Sequence, residues 1–246
     1  MRMTRTTGKR LKRRLLIGLA AFVGLAVVGC VILWFCVAHV PGWYKPAQVP
    51  EADYSQVRKS MLDTVSDFGD RLVAGKPFDV TLTDLEVSKW IAVRSEVWTE
   101  SETWIPDFLQ EPMVAFEPGR VILAARLNHQ GWQAIVSAHL TFTVKTDEII
   151  VRMTQVAAGS APVPVAWIAG RLEPVLSAAG QDVDAMPDVL ADVVRCFRKQ
   201  RGAEYLRTGV PVANRFRWQV SKRSFRIADL TLEPGRIRLR IEPLTP

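Results

Sequence analysis

Acidic residues are missing from the start of this chain. Residues 1–40 contain no Asp or Glu, yet they carry Arg2, Arg5, Lys9, Arg10, Lys12, Arg13 and Arg14. Those seven charges account for the whole formal net charge of +7, because the other 25 Lys and Arg match the 25 Asp and Glu. The basic balance therefore belongs to one end of the molecule and gives no ground for a nucleic-acid partner.

Cysteine and histidine are scarce. Of three cysteines, Cys30 and Cys36 lie in an apolar run, which leaves Cys196 alone beyond it. An intrachain disulfide outside that run is excluded. The three histidines, His39, His129 and His139, have no metal-ligand spacing, and Cys196 has no partner cysteine, so no metal site is expected. His129 falls in a turn and His139 on the polar face of a strand. Nucleophile elbows, Walker loops, His-Glu-x-x-His and dinucleotide fingerprints are all lacking. No catalytic residue and no cofactor is expected.

Present instead is a charge-free stretch of 26 residues, Leu15 to Val40. About 20 apolar residues span a bilayer core, and positive charge stays on the cytoplasmic side. The stretch predicts a single transmembrane helix with the N-terminus inside and the rest of the chain outside the cytoplasm. Trp34, Trp43 and Tyr44 mark its outer end, where aromatic rings favour the headgroup layer. Val27-Val28-Gly29-Cys30 has the form of a lipoprotein cleavage box, and Arg13-Arg14 that of a twin-arginine signal. The apolar run continues ten residues past Cys30, which favours an uncleaved anchor.

The organisation that follows is a basic cytoplasmic tail (1–14), a transmembrane helix (15–40), a Pro-rich tether (41–52) and an extracytoplasmic α+β domain (53–246). In that domain a twisted antiparallel sheet packs on two or three helices. Val57, Met61, Val65, Phe68 and Leu72 form a helical stripe, stopped at Ala74-Gly75-Lys76-Pro77. Phe78, Val80 and Leu82 alternate as a strand. Thr83 and Glu86 form a capping box that opens a helix with Leu85, Trp90 and Ile91 on one face.

From Pro112 the period becomes two. Val121, Leu123, Ala125 and Leu127 share one face with Ala134, Val136, Ala138, Leu140, Phe142 and Val144, and with Ile149, Val151 and Met153. Pro162 and Pro164 end the meander. Helices are expected near 164–178 and 187–200. Two further strands, around 216–220 and 225–232, lead to a last one from Ile237 to Ile241. An irregular step is expected at Ala228-Asp229.

Glu-Pro-Gly-Arg occurs twice, at 117–120 and 233–236. Pro presets φ near −65° at the second position of a turn, and Gly supplies positive φ at the third. Both copies are therefore expected to be type II hairpin turns.

Residues 195–246 hold 13 Lys and Arg against four acids, whereas residues 41–194 hold 12 against 21. Arg215, Arg217, Arg236, Arg238 and Arg240 would form a basic face for lipid headgroups or an envelope protein, unless the two halves pair with each other. Trp90, Ile91, Trp132, Trp167, Ile168, Leu172 and Trp218 are core candidates whose sharper reading is a groove for an acyl chain.

The order anchor, helix, strand, "LTDLEVSKWIA", Pro-Gly-turned strands and "GSAPVP" resembles small membrane-anchored bacterial proteins of the YpmS-like kind. More distantly it resembles tubular lipid-binding (TULIP-type) domains. The resemblance implies an extracytoplasmic domain with a lipid or envelope role and no catalytic residue. The expected function is a lipid-interacting or lipid-carrying accessory protein of the bacterial inner membrane. The alternative is a non-catalytic scaffold for an envelope complex.

Overall fold

A computed structural model describes residues 7–96, 105, 108–129, 131–164, 208–218 and 222–244. Within the first helix, side chains are described for Leu19 and residues 22–38. The helices expected near 164–178, from residue 165 on, and 187–200 lie outside the described residues, as do Trp167, Ile168 and Leu172.

Helix α1 runs over Thr7–Ala38, 32 residues. Among the residues described with their side chains, no helix is long and apolar enough to cross a membrane; in α1 the continuous stretch of these is 22–38. Helix α2 (Tyr54–Ala74) ends on Gly75 at φ 71°, a left-handed position that costs a glycine little. Strand β1 (Phe78–Thr83) leads into helix α3 (Asp84–Ala92), and the expected capping box at Thr83 and Glu86 is formed.

The strands make two antiparallel sheets, where the sequence predicted one. The smaller has the order β1-β10-β9-β8, with β8 at Phe216–Arg217, β9 at Ser224–Glu233 and β10 at Arg236–Leu244. The larger runs β2-β3-β4-β5-β6, through Leu109–Glu117, Arg120–His129, Trp132–Val144, Glu148–Ala158 and Ala161–Val163. Strand β7 (Val210–Ala213) pairs with the other half of the β5 edge.

Several expectations need correction. Pro162 does not end the meander; it pairs with Ala157 on edge strand β6, where a missing N–H costs no ladder bond. Strand β7 was not anticipated, because Pro211 masks the short Val210/Val212 alternation, and both valines are buried. Leu85 is 55% exposed. The inner side of α3 carries Val87, Ser88 and Ile91, of which Val87, two residues on, lies about 200° round the helix from Leu85. His129 closes β3 and is not in the turn.

The large sheet has two covered faces. The expected apolar residues do share a face: Val121 pairs with Leu140, Leu123 with Ala138, Ala125 with Val136 and Phe142 with Val151. The opposite face, expected to be polar, is the more deeply buried in β4, through Ile135, Ser137 and His139. One reason is that residue 44 packs there. Tyr44 joins Met113, Ala124 and Ile135 in a core cluster, and its hydroxyl donates to the Glu111 carbonyl at 2.7 Å. Within the segment 41–52, Tyr44 is thus docked in the core.

Both Glu-Pro-Gly-Arg copies are the expected turns, with Gly119 at φ 74° and Gly235 at φ 75°. In each, the Glu carboxylate pairs with the Arg guanidinium across the turn. The turns also meet. Gly235 N donates to Phe116 O at 2.9 Å, and Asp84 N to Gly235 O at 3.0 Å. Phe116 and Val121 flank the first turn as Leu232 and Ile237 flank the second, and these four pack in one cluster with Val114 and Ile91. The repeat is therefore architectural: two equivalent hairpin ends bury their apolar flanks against each other.

Candidate functional site

The joint between α1 and the large sheet is the most distinctive local construction. The last carbonyls of a helix have no partner inside the helix. At the end of α1, Cys36 O accepts from Ser160 N at 2.9 Å and from Ser160 Oγ at 3.2 Å. Gly159, in the turn between β5 and β6, sits against the same helix end at φ 59°. A Cβ there would lie 2.3 Å from Cys36 O, 2.5 Å from Val37 O and 2.8 Å from His39 O. Only glycine fits that approach. One turn earlier on α1, the rings of Trp34 and Trp132 meet edge to face at 4.9 Å. Trp132 opens β4 and remains 60% exposed.

Outward from this joint, α1 is apolar on every side. Phe22, Val23, Val27, Val31, Val28 and Leu25 lie at about 0°, 100°, 140°, 180°, 240° and 300° round the helix at 100° per residue, and each is 49–74% exposed. Water disfavours such a surface by about 25 cal/mol per Å2. A helix apolar all round belongs in a protein core or in a bilayer.

The predicted acyl-binding aromatics do not converge. Trp132 meets Trp34. Trp218 packs on Phe68 of α2, its ring tilted at 48° with centroids 4.8 Å apart, and lies close to Gly69. Ile91 belongs to the cluster between the two hairpin ends, and Trp90 is half-buried on α3. Leu123, 43% exposed on the apolar face of the large sheet, is the exception to that face's cover.

The predicted basic face is neutralised at two of its five residues, Arg236 and Arg240. Register places Asp79, Arg240 and Asp229 in one row across the small sheet, Thr81, Arg238 and Thr231 in the next, and Thr83, Arg236 and Glu233 in the third. Arg240 bonds Asp79 at 3.0 Å, Arg236 pairs with Glu233, and Arg226 bonds Glu242 at 2.7 Å. Arg238 lies between threonines without a charged partner among the described residues. Arg215 and Arg217 are exposed at the sheet's edge.

Four polar residues are buried in the frame: sequence reasoning passed over Ser88 and Asn214, and placed Tyr44 and His139 on outer surfaces. Ser88 Oγ donates to Val114 O and accepts from Val114 N, covering the open edge of β2. Asn214, 2% exposed, donates to Lys145 O and Ile227 O and accepts from Ile227 N. It ties the β4–β5 turn to β9 beside the bulge at Ala228, the irregular step expected there. Tyr44 is the third; burial first, then the Glu111 charge, raises its hydroxyl pKa. His139 is the fourth. Its Nδ1 is buried without a hydrogen-bond partner among the described residues. Burial lowers its pKa, nearby Arg120 adds to the shift, and Glu117 opposes it.

A polar cleft of about 580 Å3, lined by Glu51, Tyr54, Ser55, Arg58 and Glu96, lies where α2 begins. Its lining does not suit an acyl chain. Among the described residues, no three His, Cys, Asp or Glu side chains are grouped to hold a metal. No family model, curated protein or solved structure matches the chain.

Proposed function

We propose that this chain is a membrane-anchored protein of the bacterial cell envelope, with α1 crossing the inner membrane and the α+β domain outside, acting on or at lipid. The observation that carries this is the exposed, all-round apolar surface of α1. It lies within 26 charge-free residues that follow a purely basic tail. The resemblance to YpmS-like and tubular lipid-binding proteins points the same way. A lipid-carrying role is supported by exposed Leu123 on the apolar sheet face. The scaffold alternative is favoured by the dispersal of Trp132, Trp218 and Ile91 over three separate contacts, which leaves no single aromatic groove among the described residues.

Charging the exposed helix tests the anchor. Arg at the centre of a membrane span costs about 2.5–3.5 kcal/mol. The double variant Leu25→Arg, Val28→Arg is expected to move the chain from carbonate-washed membranes to the soluble fraction, with its β-sheet circular dichroism retained. Unchanged membrane retention of that variant contradicts the reading. Lipid extraction of the full-length chain from native membranes then separates carrier from scaffold: near-stoichiometric bound lipid supports the carrier.

A further inference from the structure

We infer that the outer domain sits directly on the bilayer, with the β3–β4 hairpin end bearing Trp132 inserted in the headgroup layer of the outer leaflet. This rests on the reading of α1 as a membrane span and goes beyond it, because a span alone leaves the domain free to swing.

Three observations carry it. The first is length. From Leu15, the first residue after the basic tail, to Trp34 is 19 residues, about 29 Å at 1.5 Å per residue. The hydrocarbon core is about 30 Å thick. Trp34 therefore falls at the outer boundary, and Cys36 to Val40 lie beyond it. The second is the joint. The turn of α1 that leaves the hydrocarbon is the one clamped by Gly159 and Ser160, and Tyr44 is buried in the core eight residues after Cys36. No flexible linker separates span from domain. The third is chemistry. Trp34 and Trp132 touch, and both keep more than half of their surface exposed. Trp43, partly exposed, meets its neighbour Tyr44 edge to face. Tryptophan, with an apolar ring and one N–H donor, favours the interface. The partly neutralised face of the small sheet carries no such group among its described residues.

The test uses the full-length chain with Cys30, Cys36 and Cys196 replaced by Ala, in vesicles of phosphatidylethanolamine and phosphatidylglycerol. Single spin labels are introduced through Leu25→Cys, Trp132→Cys, Gln133→Cys and Arg238→Cys. Each label's collisions with oxygen and with a water-soluble nickel chelate are compared. Gln133 lies on the same hairpin and leaves the Trp132 ring intact, which guards against a local disturbance by Trp132→Cys. The expected result is a hydrocarbon signature at 25, several-fold lower chelate collision at 132 and 133 than at 238, and a water signature at 238. A hydrocarbon signature at 25 with 132 and 133 as water-accessible as 238 overturns this inference and leaves the anchor standing. A water signature at 25 overturns both.

Discussion

Asn214 is the residue on which the described frame leans most. Its carboxamide fills three bonds in a site where water has little access. Asn214→Ala strands two carbonyls and one N–H, and should cost about 2–3 kcal/mol in denaturant unfolding. Arg240→Ala breaks only an exposed pair with Asp79 and should cost no more than about 1 kcal/mol. His139 makes stability depend on pH. Its folded pKa lies below the ordinary value of about 6.5. As pH falls through 6.5, the unfolded chain binds a proton that the folded chain refuses, so stability is lost toward acid and is complete above 6.5. Denaturant midpoints between pH 7.5 and 5 should fall more steeply for the wild type than for His139→Gln. Equal slopes would show that His139 contributes nothing. Neither residue was legible in the sequence. An isolated Asn between short strands looks like any turn residue, and His139 alternates with Ala138 and Leu140, which reads as a polar face until Tyr44 and its neighbours bury that side of the sheet.

At the scale of elements, local chemistry announced much of what forms. The Thr83–Glu86 capping box, the Gly75 stop, the two Pro-Gly turns and the step at Ala228 all depend on residues adjacent in sequence. What failed depended on residues distant in sequence. Leu85 stays exposed and Ser88 is buried because α3 packs on the edge of β2, where the Ser88 hydroxyl satisfies both backbone groups of Val114. Strand β7 exists because β5 has an unfilled edge, a fact invisible in Val210 to Ala213 alone. The docking of Tyr44 was not legible because its partners Met113 and Ile135 are more than sixty residues away. Of the candidate site, the aromatic marks at the end of α1 were legible, and the clamp that fixes them was not. Gly159 gave a weak sign, as a glycine opening a turn. Gly159→Ala should therefore do more than strain one residue. With φ at 59° and no room for Cβ, it should destabilise by more than about 1 kcal/mol. It should also open residues 39–44 to protease, read by limited proteolysis and mass spectrometry, while cleavage sites in the small sheet stay protected.

Among the described residues, an apolar helix is bolted at Gly159 and Ser160 to the larger of two sheets. Tyr44 belongs to the domain core, so a fragment cut after it, beginning near residue 46, should unfold at lower denaturant than one that retains Tyr44. The loss should be on the order of 3 kcal/mol, the cost of removing a buried aromatic. The proposed orientation is tail inside, helix across, domain outside. Its most direct measurement is protease protection in spheroplasts of a bacterium expressing the full-length chain with different tags at its two ends. External protease should remove the C-terminal tag and leave the N-terminal tag intact until detergent is added. A C-terminal tag that survives beside a digested N-terminal one, or two tags equally protected before detergent, would contradict the account.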